Sequence, residues 1–114
     1  MPLAGHQLVQ RHLAGLLVDE QVATRACEHA SRCWDARTPE LVTATLLAKY
    51  VSSRNAARAA AVAVQVLASA GARDGDVAAR AYRDAKLMEI IEGSNEMCEL
   101  LLAQHALSTN GEAR

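Results

Sequence analysis

The stretch that decides the fold is AYRDAKLMEIIEGSNEMCELL, residues 81–101. Written at 100° per residue, Val77, Ala81, Ala85 and Met88 share one narrow face, the signature of an amphipathic helix. The next residue on that face is Glu92, and Gly93 follows it at once. A carboxylate is costly to bury unpaired, whereas a glycine in that place is a helix stop. The pattern therefore predicts a helix ending at Ile91, then a tight break. A second helix follows from about Asn95, with Ser94 as its N-cap and Glu96 in the positive field of its first turn. Packing alone gives no reason for Glu92, which this reading puts on the inward face.

The same periodicity recurs on the N-terminal side. Val9, Leu13, Leu16, Ala23, Cys27, Ala30 and Trp34 form one stripe of a helix over about 8–35. Thr38-Pro39-Glu40 reads as a helix start, with Thr as N-cap, Pro at the first position and an acid in the first turn. The second helix then runs over 39–70. GARDGD breaks the chain, and Asp76 caps a third helix over 77–91. The fourth covers 95–107, and the polar tail 108–114 is predicted to fray. Residues 1–114 form one domain, and the short connections predict an all-α, antiparallel four-helix bundle.

Composition agrees. Half of the 114 residues are apolar, enough for a core, yet the chain has one Trp, two Tyr and no Phe. Small residues at this density favour closely approaching helices over a sheet. A formal charge of −1 points to no nucleic-acid or acidic-membrane partner. Three cysteines without CxxC spacing suit a reduced, cytoplasmic setting. No charged segment followed by an apolar core marks a signal peptide. The longest apolar run, AAAVAVQVLASAGA, is too short for a bilayer, so a soluble protein is expected.

No metal site is predicted. Cys27 and His29 point about 160° apart on a helix and cannot converge on one ion. Glu89, Glu92, Glu96 and Glu99 suggest a carboxylate-bridged di-metal bundle. Such bundles need Glu-x-x-His pairs, however, and none of the four histidines has a glutamate three residues before it.

Gln65 and Ser69 interrupt an otherwise apolar stretch at i and i+4, with Arg58 on the same stripe. This is either a local hydrogen-bonding feature, with Gln65 bonding a neighbouring helix and Ser69 a carbonyl, or a polar strip facing a ligand. Glu20, in the first helix's apolar stripe, predicts an ion pair with an arginine of another helix. Lys86 is placed to reach Glu89.

Two segments in order, QVLASAG and YRDAKLMEIIEGSNEM, resemble the C-terminal helical domain of the flavin-dependent acyl-CoA dehydrogenases. There a QxxGGxG segment precedes YRDAK…IYEGTxE across a short loop and a helix. PLAGHQLVQRHLA resembles the stretch just after that family's FGKPL turn. The resemblance implies a role for Glu92 as the catalytic base, matching the glutamate of EGT. In the family that base removes a thioester α-proton while the β-hydrogen leaves as hydride to FAD. The carbonyl is polarised by the base's own N–H and a ribityl hydroxyl. Gln65 matches the glutamine that touches FAD of a neighbouring subunit. Ala68 and Ser69 replace two glycines, and Gly71 keeps the last. Ser94 replaces a threonine, Glu96 matches the residue reaching toward the adenosine end, and Ile91 stands where tyrosine is usual.

The family's N-terminal helical domain, central β-domain and first C-terminal helix have no counterpart in this sequence. The resemblance therefore implies a C-terminal subunit of a split flavoenzyme, in a homo- or hetero-oligomer with a subunit carrying those domains and acting on an acyl thioester of coenzyme A or a carrier protein. FAD would be shared with that partner rather than held by this chain alone. The alternatives are a non-catalytic oligomerisation or partner-binding relative, and a domain cut from a longer enzyme.

Overall fold

A computed structural model describes residues 1–112. After a 3-10 turn over Leu3–Gly5 come four helices: α1 (Gln7–Ala36), α2 (Leu41–Leu67), α3 (Val77–Met88) and α4 (Asn95–Glu112). The fold is all-α, and the molecule is elongated, 58 × 28 × 27 Å. Helix α2 is its spine. Among the described residues, the helix-to-helix contacts all join α2 to one of the other three. Side-chain pairs fix the directions. Trp34 Nε1 donates to Thr45 Oγ1, Cys27 Sγ lies 3.2 Å from Ser52 Oγ, and Asn55 Nδ2 donates to the Asp19 carbonyl. As α1 numbers fall, α2 numbers rise, so the two are antiparallel. Helix α4 is antiparallel to α2 as well, with Tyr50 Oη donating to Glu99 and Thr43 near His105. Helix α3 lies beside Val64 at Ala79 and beside Ser53 at Met88. Helices α3 and α4 therefore run in one direction, end to end along α2, and the 89–94 turn is the joint between them.

The seam between α1 and α2 is built from small side chains. Ala30, Cys33, Ala44 and Ala48 are its core, with Ala26 and Leu41 packed against them. On α1 the inward positions are Leu16, Asp19, Ala23, Ala26, Ala30 and Cys33. Their 3-4-3-4-3 spacing is that of a coiled-coil seam. The predicted stripe drifts off this seam, since Leu13, Cys27 and Trp34 are exposed. On α3 the buried residues are Ala78, Ala79 and Ala85, while Val77, Ala81 and Met88 face outward. Large apolar side chains lie mostly outside, with Leu8 75% and Val77 83% exposed.

Several boundaries depart from expectation. Thr38 does not cap α2. Its carbonyl accepts from the Leu41 N–H in a turn, its hydroxyl is buried without a partner, and the helix opens at Leu41. Helix α2 ends at Leu67 and tightens into a 3-10 turn over Ala68–Ala70. Helix α3 ends at Met88, three residues early, because the Glu89 and Ile90 N–H groups turn to i−3 carbonyls. The tail is helical to Glu112 rather than frayed. Ser108 and Thr109 bond back to the His105 carbonyl, so their hydroxyls do not compete with the helix. Residues 113–114 of that tail lie outside the described residues. Asp76 caps α3 as read, its Oδ1 accepting from the Ala78 N–H at 2.8 Å.

The interhelical ion pair belongs to Asp19, not Glu20. Arg58 clasps the Asp19 carboxylate with Nε (2.9 Å) and Nη2, and its Nη2 also reaches Asn55 Oδ1. Glu20 is exposed and accepts from Gln21. The Arg58 hydrogen bonds hold the Asp19 carboxyl below its usual range against the opposing effect of burial, and the charges of Arg58 and Arg54 add to the effect. Asp19 is buried, whereas the Arg58 side chain is 55% exposed, so water screens part of the attraction. Asp19→Asn should therefore cost about 2 kcal/mol at neutral pH, less than a fully buried pair. With a depressed folded pKa, this stabilisation is complete above the ordinary value of 3.8 and is lost as pH falls through the folded value. Thermal melts of both proteins should converge on acidification. A gap that stays constant down to pH ~2.5 would show that the pair contributes nothing.

Candidate functional site

Glu92 sits in the joint, not on a helix face. It is exposed rather than inward-facing, because the stripe it extends is itself mostly the outer face of α3, with Val77, Ala81 and Met88 exposed, and the helix has ended at Met88. Its backbone is left-handed, φ 57°, and Gly93 follows at φ 84°. Two successive left-handed residues put a sharp kink in the chain, after which α4 continues in the direction of α3 along α2. For glycine this conformation is free; for a glutamate it costs about 1–2 kcal/mol. The turn is closed by Asn95 N–H bonding the Glu89 carbonyl at 2.9 Å. Among the described residues no hydrogen bond engages the N–H or the carboxylate of Glu92.

Ser94 and Glu96 flank the same joint. Ser94 Oγ accepts from the Met97 N–H at 3.3 Å and so caps α4, while Glu96 is exposed in its first turn, where the helix field favours an acid.

Beneath the joint lie three residues to which the sequence reading gave no role. Asn95 is buried, 7% exposed, and its Oδ1 accepts from Lys49 Nζ at 2.8 Å and from Ser53 Oγ at 3.0 Å. The single Ser53 proton is shared with the Lys49 carbonyl, one turn back on α2, which at 2.7 Å is its shortest contact. The available signal was a lysine, one of two in the chain, spaced i and i+4 from a serine inside an Ala-rich helix. Beside them an apolar groove of 300 Å³ runs between Ser52, Ala56 and Met88.

Gln65 and Ser69 form a second group, at the C-terminal end of α2. Both are exposed, and among the described residues neither side chain makes a hydrogen bond, so the local bonding read for them is not present. Counting from Ser53, Gln65 lies about 18 Å further along the helix. The structure thus joins Glu92, Ser94 and Glu96 in one place and Gln65 with Ser69 in another. Between Gln65 and Ser69, Ala68 adopts φ 55°, ψ −139° with its N–H on the Gln65 carbonyl. That region is natural to glycine and strained for alanine. Gly71 is needed for space, since an added Cβ would meet Leu67 Cβ at 2.9 Å and Val64 Cα at 3.2 Å. Among the described residues, no three His, Cys, Asp or Glu side chains gather to hold a metal, and no helix is long and apolar enough to cross a membrane.

With this geometry in place, comparison with known proteins identifies the class. The model of the acyl-CoA dehydrogenase C-terminal domain matches residues 1–107, and the chain belongs to that family. It is 32% identical over 106 residues to the human mitochondrial short-chain specific acyl-CoA dehydrogenase, covering 93% of this chain and 26% of that protein. It is 28% identical to the acryloyl-CoA reductase (NADH) of Anaerotignum propionicum, over 93% of this chain and 27% of that one. Among solved structures it is similar to FkbI, described as acting in biosynthesis of the methoxymalonyl extender unit of the polyketide Fk520. That match has 59% identity and a TM-score of 0.83, over 94% of this chain and 28% of FkbI. The chain thus spans about a quarter of the length of its relatives.

Ala68→Gly should release backbone strain and raise stability by about 1 kcal/mol, visible as a higher melting temperature. Gly71→Ala should lower it by about 1–3 kcal/mol through overpacking. Equal melting temperatures for all three proteins would refute both assignments.

Proposed function

We propose that this chain is the C-terminal part of an acyl-CoA-dehydrogenase-like flavoenzyme in which Glu92 is the general base. On this reading the N-terminal helical and central β domains come from a partner subunit in a homo- or hetero-oligomer. The observation that carries it is the state of Glu92. It matches the family's EGT glutamate, it is held left-handed before Gly93, and among the described residues nothing engages its side chain or its N–H. A strained residue whose polar groups bond nothing in the fold is kept for a reason other than stability.

The chemistry follows from those two free groups. A thioester α-proton is weakly acidic, so its removal needs a base within hydrogen-bond reach and a donor for the charge developing on the carbonyl oxygen. The Glu92 carboxylate takes the α-proton, its N–H donates to the carbonyl oxygen, and the β-hydrogen leaves with its electron pair, giving the α,β-unsaturated thioester. FAD, when bound, supplies the two-electron acceptor for that hydride. Gln65 and Ser69 fit a wall of an FAD site of a neighbouring subunit, because both are exposed and uncommitted. Ser94 fits the flavin near Glu92, and Glu96 fits the side of the cofactor reaching toward its adenosine end. The likeness to FkbI supports a thioester destined for a methoxymalonyl-type extender unit, on coenzyme A or a carrier protein, and the three free cysteines suit a cytoplasmic setting. A second reading, a non-catalytic oligomerising relative, is favoured by the side chains that Ala68 and Ser69 add where the family has glycines.

Glu92→Gln separates the two. Because Glu92 is exposed and unpaired, the melting temperature should stay within the error of the measurement. In the complex with the missing domains, thioester-dependent flavin bleaching should fall by about 10²–10⁴-fold. A variant that bleaches flavin at the normal rate would remove Glu92 as the base and leave the non-catalytic reading.

A further inference from the structure

We infer that Lys49, Ser53 and Asn95 are positioning residues, a polar clamp that holds the turn carrying Glu92 in its left-handed form; the catalytic part of this inference rests on Glu92 being the base. The joint between α3 and α4 has little else to hold it. Among the described residues the two helices make no contact with each other, and Glu92 and Gly93 bond nothing. Beside the Ser94 cap within α4 and the Tyr50–Glu99 bond one turn further along it, two interactions remain. One is local, the Asn95 N–H closing on the Glu89 carbonyl, and the other is the pair of donors that α2 sends to Asn95 Oδ1. Both converge on one buried residue.

The chemistry of the clamp suits that task. The amide oxygen of Asn95 has two lone pairs: Lys49 donates to one, and Ser53, one helical turn further along α2, shares its single hydroxyl proton between the other and the Lys49 carbonyl. One bond is charge-assisted, and a buried acceptor that loses its donor pays the full cost of desolvation. The Ser53 hydroxyl is itself fixed by the Lys49 carbonyl. The backbone N–H of Asn95 ties its end of the turn to Glu89, so the side-chain bonds fix both ends of the turn against α2. An apolar residue at 95 would fill the site but leave the start of α4 free to rotate, and with it the carboxylate and N–H of Glu92.

Amide hydrogen exchange on the full chain tests the clamp without any catalytic assay. In Lys49→Met and Asn95→Ala, exchange of the Asn95 amide and of the first turn of α4 should quicken about tenfold or more. Amides in the α1–α2 seam should keep their rates. Asn95→Asp retains an oxygen acceptor for Lys49 and Ser53 and should keep slow exchange at the joint, which also serves if Asn95→Ala fails to fold. In the assembled enzyme, Lys49→Met should lower kcat for thioester-dependent flavin reduction by at least about tenfold with KM changed less than about threefold, the mark of a misplaced group rather than lost binding. Unchanged exchange at the joint in Lys49→Met, or an equal increase across the whole chain, overturns the clamp. Faster exchange at the joint with unchanged kcat overturns its catalytic part if Glu92→Gln is inactive. If Glu92→Gln is instead fully active, the base assignment has failed, and exchange alone decides the clamp.

Discussion

Every helix of this domain depends on how closely another backbone can approach α2. The residues that bury deepest are Ala, Cys, Ser and Asn, and none of the large side chains is fully buried. Small side chains let helix axes come near enough for short polar groups to bridge them. Hence the contacts across α2 are hydroxyl to indole, amide to carbonyl and guanidinium to carboxylate rather than interdigitated leucines. Dispersion between close-packed backbones and these satisfied polar groups replaces the burial of bulky apolar surface. A larger residue at Ala44 or Ala48 would push α1 away and unmake several of those bonds together.

The same dependence explains what the sequence did and did not reveal. Asp76 and Ser94 were legible as caps because capping is a bond to a neighbour two or three residues on. The class of fold was legible because alanine density and short breaks leave few alternatives. The stripe on α1 was misplaced for a physical reason. A seam spaced at 3.5 residues drifts against a 3.6-residue wheel, so over 30 residues the wheel selects Cys27 and Trp34 where the seam holds Ala26 and Cys33. The drift also moved the ion pair from Asp19 to Glu20. Glu92 reads as inward-facing because Val77, Ala81, Ala85 and Met88 look like the core face of α3, yet of these only Ala85 is buried. Lys49, Ser53 and Asn95 could not be joined from sequence, since their meeting depends on the register of α2 against α4.

Of the three non-glycine residues with positive φ among the described residues, Arg37 closes α1 as its C-cap, and the other two fall where the proposed function would bring a cofactor. Glu92 is left-handed at the joint, and Ala68 holds a glycine conformation at the end of α2. They differ in origin. On the proposed function the backbone at Glu92 is bent to present its carboxylate, and the cost belongs to that position. At Ala68 the backbone keeps the shape of a family glycine although a methyl group has been added. The turn is therefore set by the packing of Gly71 against Val64 and Leu67 rather than by the preference of residue 68.

That α3 and α4 each dock on α2 and not on each other has an evolutionary consequence. The loop between them is bracketed by two separately anchored supports, so its length and residues can drift without unfolding either support. Selection can then rework the residues of the joint at a cost confined to half a dozen positions. Ser94 for threonine and Ile91 for tyrosine are changes of that kind. A scaffold so divided can absorb change at the joint while its spine stays fixed, so one backbone plan can be adapted by small steps.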